Sequence, residues 1–132
     1  MSQSVAFVCL GNICRSPMAE AVFSYVANEY GLDLKIESFG TAGYHVGETP
    51  DSRTVSTCKK HRVPINHRAQ QIKSSHFNEF DYILCMDESN LQNLKRIQPK
   101  NSKAKLSLFG KYRTDPQFEV IVDDPYYGVK SL

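Results

Sequence analysis

The sequence predicts an α/β fold: an open parallel sheet of four strands with flanking helices. Three observations point there. Four short apolar runs, 5–9, 34–38, 82–86 and 105–109, alternate with segments of helical periodicity, the pattern of right-handed strand–helix–strand crossovers. The first run, Val5 to Cys9, is apolar without alternation, as suits a central strand covered on both faces. It ends in a tight loop that opens directly into a helix, where open sheets of this kind place their ligands.

The elements follow in order. Ser16 is a good N-cap and Pro17 suits a first helical position. The helix they begin repeats Ala19, Val22, Phe23, Val26, Ala27 and Tyr30 on one face, the expected core stripe, and Gly31 ends it. The second strand, 34–38, turns Leu34 and Ile36 inward. Residues 39–50 hold Gly40, Gly43, Gly47 and Pro50 and form a loop carrying Tyr44 and His45. A helix runs from near Asp51 to about His61 and buries Val55 and Cys58. Val63-Pro64-Ile65 leads through an extended segment to His67. Ser75 caps a brief helical turn through Phe77 and Phe80. After the third strand, 82–86, Asp87 or Ser89 caps a helix with Leu91, Leu94 and Ile97 on one face, stopped by Pro99. The fourth strand is 105–109. Residues 110–128 show little periodicity, and aperiodic stretches of that length are usually functional or disordered.

Composition sets bounds. At 132 residues, 41% of them apolar, the chain is read as a single domain, 1–132. A formal charge of +2 without a dense basic block argues against nucleic acid. No run is long enough to span a membrane and no signal-peptide pattern opens the chain, so a cytoplasmic location is expected. Cys9, Cys14, Cys58 and Cys85 form no CxxC pair. His45, His61, His67 and His76 have no metal-ligand spacing. No metal and no cofactor are expected, and the thiols are expected to be reduced.

The chemistry concentrates in Cys9-Leu10-Gly11-Asn12-Ile13-Cys14-Arg15-Ser16-Pro17. The following helix points its free N–H groups and positive dipole end at this loop. A concave run of backbone N–H groups makes an anion nest, and the Arg15 fork can hold two phosphate oxygens. Thiols at helix N-termini beside cations ionise readily. The stretch therefore reads as a phosphate-binding loop with Cys9 as nucleophile. The plain alternative is a buried strand cysteine, a surface arginine and an ordinary turn.

CLGNICRSPMAEAVF resembles the signature of the low-molecular-weight protein tyrosine phosphatases. Gly-Glu-Thr-Pro-Asp-Ser-Arg (47–53), Asp-Tyr-Ile-Leu-Cys-Met-Asp-Glu-Ser-Asn (81–90) and Asp-Pro-Tyr-Tyr-Gly (124–128) follow in family order. The chain looks like a fungal-like member. The family pattern continues into a final helix that is not found here, so the resemblance implies a chain lacking that helix. It implies hydrolysis of phosphotyrosine proteins or small aryl phosphates through a cysteinyl-phosphate, with inorganic phosphate or vanadate as competitive inhibitors. It further implies Cys9 as nucleophile, Arg15 as phosphate ligand and Asp124 as general acid and base, with the adjacent Asp123 as rival. Leu10, Gly11, Asn12, Ile13 and Cys14 would frame the phosphate. Leu10, Ile13, Tyr44, His45 and Tyr126 would line the entrance. In support, His67 would hydrogen-bond Asn12, Ser16 would give its hydroxyl to Cys9, Ser38 would hold the loop, and Tyr126 and Tyr127 match tyrosines that are phosphorylated in some members. Cys14 would trap an oxidised Cys9 as a disulfide, while Cys58 and Cys85 are read as structural. Two other readings stay open: an arsenate reductase on the same fold, and a phosphate-binding module without turnover.

Overall fold

The computed structural model describes residues 3–112. Four parallel strands, β1 (Gln3–Cys9), β2 (Leu34–Gly40), β3 (Tyr82–Cys85) and β4 (Lys105–Leu108), form one sheet in the order β2-β1-β3-β4. The helices are α1 (Arg15–Glu29), α2 (Ser52–Lys60) and α3 (Glu88–Ile97), with 3-10 turns at Ser74–Asn78 and Phe109–Tyr112. The predicted fold class is the observed one.

The path explains where a site can form. From β1 the chain moves out to β2 and then returns to β3 on the other side of β1. The carboxyl end of β1 is thus the switch point in strand order, a crevice that no crossover covers. Cys9 is its last residue, in register with Gly40.

Alternation along β1 divides the core. Ala6 and Val8 face one side, with Phe39, Phe77, Phe80, Ile83 and Leu94. Val5, Phe7 and Cys9 face the other, with Leu84 and Met86, against Ala19 and Phe23 of α1 and Phe109. Every residue of β1 after Gln3 is buried, which accounts for its apolar composition.

Several sequence expectations change. Helix α1 starts at Arg15, two residues early, and its N-cap is Cys14 without a side-chain cap. Ser16 is therefore not the cap: it lies inside the first turn, with its hydroxyl turned to Cys9. The predicted stripe is only partly a core face. Ala27 is buried, but Val22, Val26 and Tyr30 are exposed, because α1 meets the sheet mainly through Ala19 and Phe23. Ser75 does not cap the 3-10 turn; its entry is tied by the Lys73 N–H to His76 Nδ1 at 2.9 Å. The last strand ends at Leu108, and Phe109 begins a 3-10 turn. Asp51 does cap α2, accepting from the Arg53 N–H at 2.9 Å. Of the two candidates for α3, Asp87 is the cap.

Candidate active site

The loop between β1 and α1 is short, so its shape must be imposed by neighbours. Its carbonyls are held first. The Thr41 N–H donates to Cys9 O at 2.9 Å, Ala42 N–H to Leu10 O at 3.0 Å, and Asp51 N–H to Ile13 O at 2.7 Å. Thr54 Oγ1 donates to Cys14 O at 3.3 Å. With these four oxygens paired to neighbouring segments, the N–H groups are left to face the loop's own concavity. Those of Gly11 and Ile13 donate to no acceptor among the described residues, while the Asn12 N–H points at Cys9 Sγ, 3.3 Å away. A ring of inward N–H groups is an anion nest.

Asn12 is the loop's internal brace. It is fully buried and holds φ of 59°, a left-handed conformation that Asn tolerates better than most residues. Its amide makes four hydrogen bonds. Nδ2 donates to Ser16 Oγ at 2.8 Å and Ser38 Oγ at 3.0 Å. Oδ1 accepts from the Gln70 N–H at 2.8 Å and pairs with His67 Nε2 at 2.7 Å. A backbone N–H can only donate, so the Gln70 bond fixes Oδ1 as acceptor, and His67 Nε2 must carry a proton.

Behind His67 the network continues. Its Nδ1 lies 3.2 Å from Glu20 Oε1, which also accepts from Ser38 Oγ. Burial, opposed by the Ser38 hydrogen bond and reinforced by the nearby Glu37 charge, raises the Glu20 carboxyl above the usual carboxylate range. Burial pushes His67 down, against the opposing charge of Glu37. Both directions favour the neutral forms of the two side chains, and the Asn12 bond needs the His67 proton on Nε2.

At the mouth of the loop, Cys9 Sγ lies 3.0 Å from Ser16 Oγ. Arg15, 4% exposed, sends NH1 to Asp87 Oδ2 at 2.7 Å. Ile13 and Cys14 are buried and pack with Ala69. None of the four cysteines is in a disulfide. Cys58 and Cys85 are buried away from the loop, and burial with the nearby Asp87 charge pushes the Cys85 thiol up to about 12. His45 packs on the outer side of the loop: a Cβ placed on Gly11 would come within 3.0 Å of its ring. Its Nδ1 is 3.1 Å from Glu48 Oε2. Tyr44 is 70% exposed on the same segment.

The structure thus brings Cys9, Leu10, Gly11, Asn12, Ile13, Cys14, Arg15, Ser16, Ser38, His45 and His67 to one end of the sheet. Asp123, Asp124, Tyr126 and Tyr127 lie outside the described residues. Three participants escaped the sequence reading. Asp87 was seen only as a cap, although one carboxylate can cap α3 with Oδ1 and hold Arg15 with Oδ2. Glu20 is one polar residue among several on α1. Gln70 contributes through its backbone, which has no sequence signal. Gly40 was read as a loop glycine, yet a Cβ there would come within 2.7 Å of Leu10 O; the loop sits on bare backbone. No group of three or more His, Cys, Asp or Glu suited to a metal occurs among the described residues.

Comparison with known proteins agrees in sequence and in shape. The family described as "Low molecular weight phosphotyrosine protein phosphatase" matches residues 4–132. The protein of that name from Saccharomyces cerevisiae is 59% identical over 129 residues, covering 95% of this chain and 80% of its own length. The human one is 50% identical over 134 residues, covering 98% and 84%. The solved structure titled Primo-1 superimposes with a TM-score of 0.91 at 40% identity, over 98% of this chain and 84% of that one. A family match along nearly the whole chain, with identities of half or more, leaves one assignment: the chain belongs to the low-molecular-weight phosphotyrosine protein phosphatases.

Proposed function

We propose that this protein is a phosphotyrosine phosphatase that hydrolyses phosphotyrosine proteins and small aryl phosphates through a cysteinyl-phosphate. One observation carries the assignment of roles: Cys9 Sγ meets the Asn12 N–H and the Ser16 hydroxyl at the edge of a loop that ends in buried Arg15.

In the first step the Cys9 thiolate attacks phosphorus in line, and the bond to the phenolic oxygen breaks. Asp124 gives that oxygen its proton. The inward N–H groups and the Arg15 guanidinium hold the three equatorial oxygens as their charge redistributes. In the second step water attacks the phosphocysteine, Asp124 takes its proton, and phosphate leaves with Cys9 restored as thiolate. Ser16 tracks the change. Its single proton can go to Phe39 O, 3.3 Å away, or to Cys9 Sγ. With a thiolate it serves the sulfur; with a neutral thiol the S–H can donate instead. Tyr44 and His45 are assigned to the walls for the aryl ring and Leu10 and Ile13 to the entrance, the roles the family resemblance implies for them and for Tyr126. Ser38 and His67 hold Asn12.

The arsenate-reductase alternative needs a relay of reactive cysteines, and a buried Cys85 pushed up to about 12 is a poor member of one. Four buried cysteines without a disulfide suit the reducing cytoplasm, and no described helix is long and apolar enough to cross a membrane.

The test is hydrolysis of p-nitrophenyl phosphate near pH 5.5. Cys9→Ser should abolish turnover and Asp124→Ala should slow it by about 10²-fold or more, with vanadate competitive. An inert wild type that still binds vanadate would favour the binding module.

A further inference from the structure

The carbonyls of the phosphate loop are held from two sides. Thr41 and Ala42, just after β2, hold Cys9 O and Leu10 O, and the first turn of α2 holds Ile13 O and Cys14 O. The first three ties use backbone N–H groups, which any residue but proline supplies. The fourth uses a side chain: Thr54 Oγ1 donates to Cys14 O at 3.3 Å. Thr54 is completely buried. A threonine inside a helix can turn its hydroxyl to the carbonyl four residues back; this one bonds a residue 40 positions away. Cys14 O does not need that bond to be satisfied, because the Met18 N–H already reaches it at 3.2 Å as α1 opens. Two donors from different helices fix the direction of the carbonyl, where one would leave it room to tilt.

A trans peptide is planar, with its C=O and N–H on opposite sides, and no peptide bond here is cis. The direction of Cys14 O therefore sets the direction of the Arg15 N–H. We propose, on the phosphatase reading above, that Thr54 is a positioning residue: its hydroxyl aims the Cys14–Arg15 peptide so that the Arg15 N–H meets the equatorial phosphate oxygens. Donors stabilise a transition state to the extent that they are aimed in advance. Loss of the hydroxyl thus falls on kcat and on transition-state analogues, and less on KM or Tm.

Two pairs isolate the hydroxyl: wild type against Thr54→Val, and Thr54→Ser against Thr54→Ala. In each pair the hydroxyl-bearing member should turn over p-nitrophenyl phosphate about fivefold faster, the rate equivalent of one neutral hydrogen bond. It should also bind vanadate about fivefold tighter by titration calorimetry, with the affinity for inorganic phosphate moved less. If valine is not accommodated, the second pair decides. Wild-type kcat and vanadate affinity in Thr54→Val would overturn the proposal whatever the Tm, since packing alone predicts a lower Tm with kcat intact. So would Ser and Ala variants alike in both readouts. A folded wild type without turnover would refute the phosphatase reading, and the vanadate titrations would still decide the role of Thr54.

Discussion

Substitution of Asp87 separates two jobs done by one side chain. Oδ1 caps α3 by accepting the Asn90 N–H at 2.8 Å, and Oδ2 holds Arg15 NH1 at 2.7 Å. Asn keeps the cap but loses the charge; Ala loses both. The Arg15 side chain is 2% exposed and that of Asp87 22%, so the pair is largely shielded. A hydrogen bond to a charged group is worth about 1.5–3 kcal/mol, and taking a carboxylate away from a buried guanidinium adds to that. Asp87→Asn should therefore cost about 2–3 kcal/mol, and Asp87→Ala about 1 kcal/mol more for the lost cap. At roughly 4 °C per kcal/mol for a domain of this size, the expected falls in Tm are about 10 and 14 °C by differential scanning calorimetry. Phosphate supplies the missing countercharge, so saturating phosphate should stabilise Asp87→Asn more than wild type. The kcat for p-nitrophenyl phosphate should fall as the guanidinium loses its aim, with a smaller change in KM. Equal Tm for Asn and Ala variants, or a wild-type kcat in both, would refute the division of labour.

Three further substitutions probe the loop's supports. Gly40→Ala drives a Cβ against Leu10 O, a backbone atom that cannot rotate away; about 1–3 kcal/mol of lost stability and at least a tenfold fall in kcat should appear together, and a normal kcat would mean the loop relaxes freely. Asn12→Ala strips four hydrogen bonds from a buried position while keeping a left-handed φ, so chemical denaturation should show it about 1 kcal/mol less stable than Asn12→Gly, which escapes the backbone strain; Ala equal to Gly would remove strain from the account. The third concerns pH. Because the folded Glu20 pKa is raised, the folded chain binds more proton than the unfolded chain between the ordinary carboxylate value and the folded one. Stability from this group is lost as pH rises from the ordinary carboxylate value through the folded one. His67, depressed by burial, acts oppositely: its contribution is present above the ordinary imidazole value and lost as pH falls. Urea unfolding of wild type and Glu20→Gln across pH 4–8 should give a difference that shrinks in wild type's disfavour with rising pH, and parallel curves would contradict the assignment.

What the sequence made legible depended on how local each signal was. The sheet could be read because β1 is buried on both faces and its composition records that. The loop could be read because a strand-end cysteine, one glycine, an arginine and Ser-Pro sit within nine consecutive residues. Ser16 was placed two residues off for a physical reason: Ser-Pro is a strong helix-start signal, but the thiol and the Asn12 amide compete for the same hydroxyl, and they win. The α1 stripe misled because periodicity locates an apolar face without saying what covers it. Asp87 and Glu20 were invisible as partners because the Arg15–Asp87 pair spans 72 residues, and His67 Nδ1 reaches Glu20 from a segment 47 positions later in the chain.

The polar network behind the loop has a consequence for catalysis. A loop with inward N–H groups leaves those donors unsatisfied in the resting chain, and unsatisfied buried donors favour collapse of the loop onto its own carbonyls. Here the carbonyls of Cys9, Leu10, Ile13 and Cys14 are already taken by Thr41, Ala42, Asp51 and Thr54, and the buried Asn12 amide is saturated by Ser16, β2 and the 67–70 segment. The nest is thereby held open for an anion before the anion arrives. Electrostatic catalysis depends on donors that need not reorganise during reaction. The residues that never touch phosphate, Ser38, Gln70 and His67, are then as much a part of the rate as the N–H groups they keep in place.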